Sequence, residues 1–132
     1  MIKFMLDTNM VIYTIKNKPT KVRETFKKHA DQMCISSVTL MELIYGAERS
    51  SRPEENLKTI EGLAARLDVL PYEDEAAAHT GQIRSDLAKV GKPIGPYDNM
   101  IAGHARSRGL ILVTNNENEF KRVSGLRSIN WA

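Results

Sequence analysis

One cysteine in 132 residues leaves no partner for an internal disulfide. Cys34 sits inside the apolar stretch Met33-Cys34-Ile35, which suits a buried, inert thiol in a reducing cytoplasm. The three histidines, His29, His79 and His104, share no metal-ligand spacing, so zinc chemistry has no foothold. His104 reads as structural. No apolar run reaches membrane-spanning length. The first residues do not read as a signal peptide, because Asp7 interrupts the run and no small-residue cleavage site follows. There is no linker, internal repeat or low-complexity segment. A net charge of +3 favours a polyanionic partner only weakly. The remaining composition is that of an ordinary globular protein, expected to form a single domain over 1–132.

Ile2, Phe4, Met5 and Leu6 form an apolar run of strand length that stops at once on Asp7, Thr8 and Asn9. An acid at the carboxyl end of a buried strand sits where open α/β sheets place their ligands. The plainer reading makes Asp7 or Asn9 a cap for a helix starting near Val11, or an Asx-turn. Pro19 stops that helix, and a basic helix runs from about Thr20 to Ala30. Met33–Ile35 is a second strand. Ser36 and Ser37 offer caps for a helix over Val38–Ser50. Pro53 opens another helix, with Leu57, Ile60, Ala64 and Leu67 at helical spacing. Val69 and Leu70 make a third strand. Ala76, Thr80, Ile83, Leu87 and Val90 mark a helix from about Asp74 to Val90, closed by Gly91. Gly95-Pro96 starts a helix that Gly109 ends, and Leu110–Val113 is an aliphatic strand stopping on Thr114, Asn115 and Asn116. A turn near Glu117–Val123 and a strand near Ile129–Trp131 complete the chain. Trp131 is expected in the core or in a dimer contact. Strands alternating with helices predict an α/β fold: a central parallel sheet of about five short strands with helices on both faces.

Three further acids stand out. Glu42 lies in Leu40-Met41-Glu42-Leu43-Ile44-Tyr45, apolar on nearly every side. A buried carboxylate there needs either a salt-bridging Arg or Lys, or a metal ion. Asp98 lies in the first turn after Pro96, where a favourable dipole contact is the plain reading. Ile101, Ala102 and Ala105 share its face, however, and that face turns toward the sheet. Glu119 and Asn116 follow the aliphatic strand, where either reads as an exposed loop residue if taken alone. Gathered at one edge, Asp7, Glu42, Asp98 and Glu119 repel one another, and a divalent cation relieves this. Ligands that are all oxygen select Mg²⁺ or Mn²⁺. Such a site binds phosphate oxygens and activates water. Basic runs at 16–28 and 84–127 read as solvated helix faces, or as a grip on a nucleic-acid backbone if they flank the site.

The segments MLDTN at 5–9, SSVTLMELIYGA at 36–47, PIGPYDNMIAGHA at 93–105 and LVTNNENEF at 112–120 resemble the PIN-domain ribonucleases. The chain is most similar to the VapC toxins of bacterial type II toxin–antitoxin pairs. The resemblance covers essentially the whole length and implies a PIN-like fold. The family's acids fall on Asp7, Glu42 and Asp98, with Asp7 and Asp98 as expected metal ligands. Its fourth position falls on Asn116 or on Glu119. Thr8, Asn9, Thr114, Asn115 and Asn116 are expected to orient the acids. The resemblance also implies Mg²⁺- or Mn²⁺-dependent endoribonuclease activity, a homodimer, and silencing by a VapB-type antitoxin. An antitoxin Arg is expected in the acidic cleft, with an apolar helix in a groove beside Val38–Ala47. The implied substrate is RNA: tRNA, and initiator tRNA cut in its anticodon loop.

Two rivals come from other classes. A phospho-accepting receiver domain needs an acid pair after the first strand and a Lys after a late one; Val11–Tyr13 and Thr114–Asn116 supply neither. A non-catalytic nucleic-acid-binding module has no need of Glu42 inside an apolar helix.

Overall fold

Phe4–Leu6 form the first strand, β1, and all three residues are buried. The computed structural model describes residues 1–17 and 20–132; Lys18 of the basic run and Pro19, the expected helix stop, lie outside the described residues. After β1 come α1 (Thr8–Asn17), α2 (Thr20–Lys28), a 3-10 turn (Ala30–Gln32), β2 (Met33–Ser36), α3 (Ser37–Glu48) and α4 (Pro53–Arg66). Then follow β3 (Asp68–Leu70), α5 (Asp74–Lys89), α6 (Pro96–Ser107), β4 (Ile111–Val113), α7 (Glu117–Phe120) and β5 (Ser128–Ile129).

The strands lie in the order β3-β2-β1-β4-β5, and every neighbouring pair is parallel. Phe4 registers against Met33 on one side and Ile111 on the other. The order reverses beside β1, which makes a topological switch point. In open α/β sheets the crevice outside the carboxyl ends of the strands at such a point is where ligands bind. Receiver domains use the order 2-1-3-4-5, so topology removes that rival.

Side chains alternate across a strand, and this splits the core in two. Met5, Cys34 and Leu112 point to a layer built with Ile83 and Leu87 of α5 and Ile101, Ala102 and Ala105 of α6. Phe4, Leu6, Met33, Ile35 and Val113 point the other way, onto Met10 and Val11 of α1, Val22 of α2, Leu43 of α3 and Ile60 of α4. Trp131 joins the second layer, stacked on His29 at 5.1 Å and edge-on to Phe4 at 4.9 Å. It is a core residue. Cys34 is fully buried, and burial beside Asp68 pushes its thiol up to about 12, so it is inert at neutral pH. No helix of the described residues is long and apolar enough to cross a membrane.

Local chemistry explains the helix ends. α1 begins at Thr8, earlier than the expected Val11, because Asp7 Oδ1 accepts from Met10 N–H at 2.7 Å and nucleates the first turn directly. Ser36 caps α3 by accepting from Val38 N–H at 3.1 Å. Prolines open α4 and α6. Along α5, Ala76, Thr80, Ile83 and Leu87 are buried as the periodicity requires. Val90 is 65 % exposed, contrary to the expected stripe, because the helix closes at Lys89 and Gly91 turns the chain at φ 69°.

α5 packs closely along α6, and the contact depends on Gly103. A Cβ at that position would lie 2.1 Å from Thr80 Oγ1 and 2.7 Å from the Thr80 backbone nitrogen. The Gly103→Ala change must therefore push the two helices apart. It should lower stability by about 1–3 kcal/mol, the scale of overpacking in a tight core. Urea unfolding of the two proteins checks this; equal midpoints would mean that the helices can part without cost.

Candidate active site

Asp7 follows β1 directly and is 2 % exposed. Two donors hold its carboxylate: Met10 N–H at 2.7 Å on Oδ1, and the Thr114 hydroxyl at 2.6 Å on Oδ2. Thr114 follows β4, so the ends of the two strands at the switch point are tied together through the acid. Burial raises the Asp7 pKa most. The two hydrogen bonds oppose that rise, and the charges of Glu42 and Glu119 add to it.

Glu42 reaches the same place from α3. Its Oε1 accepts from the Thr8 hydroxyl at 2.7 Å, and Thr8 also contacts Thr39 Oγ1 at 3.2 Å. The expected burial among apolar neighbours is not found. Glu42 is half-buried, and Met41, Ile44 and Tyr45 around it are exposed. α3 turns only Val38, Thr39, Leu43 and Ala47 fully inward. The salt-bridge reading of Glu42 fails as well, because the one ion pair among the described residues is Arg52–Glu55 at the surface.

Asp98 enters from the first turn of α6, half-buried, with Ile101, Ala102 and Ala105 on its inward face as expected. Its pKa rises to about 6. Burial comes first, followed by the charges of Glu119, Asp7 and Glu42, and then a hydrogen bond with Glu119 that favours the protonated form. Glu119, on α7, accepts from Asn116 Nδ2 and, at 3.4 Å, from Gly95 N–H at the start of α6. Asn116 N–H in turn donates to Thr114 Oγ1 at 2.9 Å. At the ambiguous fourth position the structure thus brings both candidates in, with Asn116 gripping Glu119.

All four acids therefore feel one another, and no Lys or Arg pairs with any of them among the described residues. Of the residues expected to orient them, Thr8, Thr114 and Asn116 do so. Asn9 and Asn115 do not: both are exposed, and neither bonds an acid. Sequence reasoning missed the buried Asn99, whose Oδ1 has no partner while its Nδ2 donates to Ile94 carbonyl at 3.1 Å. Nothing in the sequence around it signals this. Arg106 of the basic run at 84–127 is tied within the protein, its guanidinium held by His79, Gln82 and the Ser124 carbonyl.

The donor set suits a hard divalent cation: carboxylate oxygens without thiol or imidazole, and an excess of negative charge that no side chain among the described residues pairs. No three of these side chains yet form a ligand cluster among the described residues. Each is held by a neighbouring hydroxyl, amide or carboxyl group. Asp7 and Asp98, whose ionisation is the most opposed, gain most from a cation.

Burial, and with it the repulsion among the acids, sets a pH dependence in the metal-free protein. The folded state keeps the Asp98 proton up to about pH 6, whereas the unfolded chain releases it near about 3.9. Between those values the folded state binds more protons, so stability falls as pH rises through the window. Asp98→Asn should raise the melting temperature of metal-free protein at about pH 7.5 and change it little at about pH 4. Thermal melts at the two pH values check this; an equal shift at both would mean that charge is not the cause.

Comparison with known proteins agrees with this geometry. A PIN-domain family profile matches residues 4–126. The tRNA(fMet)-specific endonuclease VapC of Shigella flexneri is 66 % identical over 132 residues, covering all of both chains. The crystal structure of DNA-bound VapBC from Salmonella typhimurium superposes over 100 % of both chains with a TM-score of 0.98 and 61 % identity. VapBC2 of Rickettsia felis, bound to a fragment of its promoter DNA, does so with a TM-score of 0.94 and 34 % identity, again over 100 % of both chains. The chain belongs to the PIN-domain family, in its VapC branch.

Proposed function

We propose that this protein is the toxin of a VapBC-type toxin–antitoxin pair. In this reading it is a Mg²⁺- or Mn²⁺-dependent endoribonuclease that cuts tRNA in the cytoplasm, with initiator tRNA, cleaved in the anticodon loop, as its substrate. The observation that carries the reading is the crowding of Asp7, Glu42, Asp98 and Glu119 at the switch point without a compensating cation. A module that only bound RNA would gain nothing from acids that repel phosphates. The choice of tRNA draws on the name of the Shigella relative.

Asp7 and Asp98 would hold the cation, with Glu119 beside Asp98. A divalent ion there supplies positive charge to the scissile phosphate and lowers the pKa of water. Asp7 is fixed in advance by Met10 N–H and the Thr114 hydroxyl, so little reorganisation accompanies binding. Glu42 is anchored through Oε1 by Thr8, which leaves Oε2 to take the proton of the attacking water. Hydrolysis breaks the phosphodiester P–O bond as water adds to phosphorus. Exposed Lys21, Arg23, Lys27 and Lys28 of α2 are candidates for the RNA backbone.

Asp98→Asn keeps the shape and removes the charge. Cleavage of initiator tRNA should fall by at least about a thousandfold, since several kcal/mol of electrostatic stabilisation are lost. Binding of the same RNA should hold or tighten. Chelation of divalent ions should abolish cleavage by the parent. Parental cutting by the variant, or cutting in chelator, would overturn the mechanism.

Beside the acids, Ile12 and Ile15 of α1, Leu43 and Ala47 of α3 and Ile60 of α4 line a groove of about 310 Å³ that Glu42 borders. Its apolar floor suits an amphipathic antitoxin helix, and the adjoining carboxylates suit an antitoxin Arg. Gly46 also lines the groove, and a Cβ there meets nothing within 4 Å. Gly46→Phe should fill the groove, weaken inhibition by the antitoxin and leave cleavage intact. Titrating antitoxin into the cleavage reaction checks this; parental inhibition of the variant would place the antitoxin elsewhere. The toxin is expected to be a homodimer, and a monomer in sedimentation at micromolar concentration would remove that expectation.

A further inference from the structure

Glu42 stands on α3 and Asp98 on α6, each a helix of 12 residues. Two chains of hydrogen bonds join these helices inside the protein. His104 Nδ1 on α6 lies 2.8 Å from Ser36 Oγ, the same atom that caps α3 through Val38 N–H. In the second chain, Tyr72 N–H donates to Ser37 Oγ at 3.0 Å and Tyr72 OH donates to Thr80 Oγ1 at 2.7 Å. Thr80 Oγ1 then reaches the carbonyl of Asn99, next to Asp98, at 3.5 Å. The rings of Tyr72 and His104 meet edge-on at 5.6 Å, so the two chains touch.

Ser36 is 0 % and His104 1 % exposed, so no bulk water can replace a bond lost between them. Burial, and secondarily the Arg108 charge, lower the His104 pKa to about 4, so the ring is neutral at pH 7 and acts as a hydrogen-bonding group. It bonds none of the four acids directly.

We propose that His104 is a positioning residue: its hydrogen bond to Ser36, backed by the Tyr72–Thr80 chain, holds α3 against α6 and so fixes the spacing of Glu42 and Asp98. This deepens the endoribonuclease reading and rests on it. A brace of this kind acts on metal affinity and turnover rather than on RNA affinity, because it sets the acids from residues that are themselves buried, Ser36 and His104.

The test compares two polar replacements. His104→Asn puts an amide where Nδ1 lies, whereas His104→Gln puts it beyond, at the place of Nε2. For each, kcat and KM on initiator tRNA are measured, together with the Mn²⁺ affinity of the RNA-free protein. The Gln protein should lose about 10–100-fold in both kcat and Mn²⁺ affinity, the usual reach of groups that orient ligands, while KM stays within about twofold. The Asn protein should stay within about threefold of the parent throughout. Ser36→Ala removes the same bond together with the α3 cap, so its loss should be at least as large as that of the Gln protein. Tyr72→Phe removes only a half-buried hydroxyl and is the variant to use should those at position 104 fail to fold. Its Mn²⁺ affinity should fall several-fold. Parental Mn²⁺ affinity in the Gln or Phe protein, equal impairment of Asn and Gln, or a loss confined to KM would overturn the proposal. A parent that cuts no RNA would instead remove the ribonuclease reading, and the Mn²⁺ comparison would still decide the brace.

Discussion

Four carboxylates share one cleft, and their mutual repulsion is the constraint around which this fold is arranged. Burial and the other acids oppose ionisation of both Asp7 and Asp98, yet no side-chain cation comes to their relief among the described residues. The protein instead spends neutral donors on them: Thr114 and Met10 N–H on Asp7, Thr8 on Glu42, Asn116 and Gly95 N–H on Glu119. Hydrogen bonds of this kind hold each carboxylate in place without neutralising the group. The cleft remains electronegative, which is what a divalent cation requires.

The architecture serves that cleft. A parallel sheet whose order reverses at β1 leaves a crevice beside the ends of β1 and β4, and Asp7 and Thr114 stand on its two banks. Helices deliver the other acids: α3 brings Glu42, α6 brings Asp98 and α7 brings Glu119. Gly103 lets α5 lie against α6 closely enough for Thr80 to join the internal hydrogen-bond chain. Core packing and site geometry are thus set by the same contacts.

Much of this was legible in the sequence, for identifiable reasons. The run ending on Asp7, the aliphatic strand ending on Thr114 and the stripe on α5 are patterns of period and punctuation, and such patterns survive folding. Asp7, Glu42 and Asp98 come together as expected, and Glu119 joins them. The environment of Glu42 differs from the expectation, because an apolar stretch can face a groove as readily as a core; Met41, Ile44 and Tyr45 look outward. Asn9 and Asn115 are exposed, because neighbours in sequence need not share a face with the acid they flank. The Ser36–His104 bond was invisible, since it joins residues 68 positions apart.

The proposed chemistry depends on a hard divalent cation held between Asp7 and Asp98. Anomalous diffraction from crystals equilibrated with Mn²⁺ tests it most directly. A manganese peak in contact with carboxylate oxygens of Asp7 and Asp98 is expected. A peak away from both, or none at a concentration that supports RNA cleavage, would contradict it.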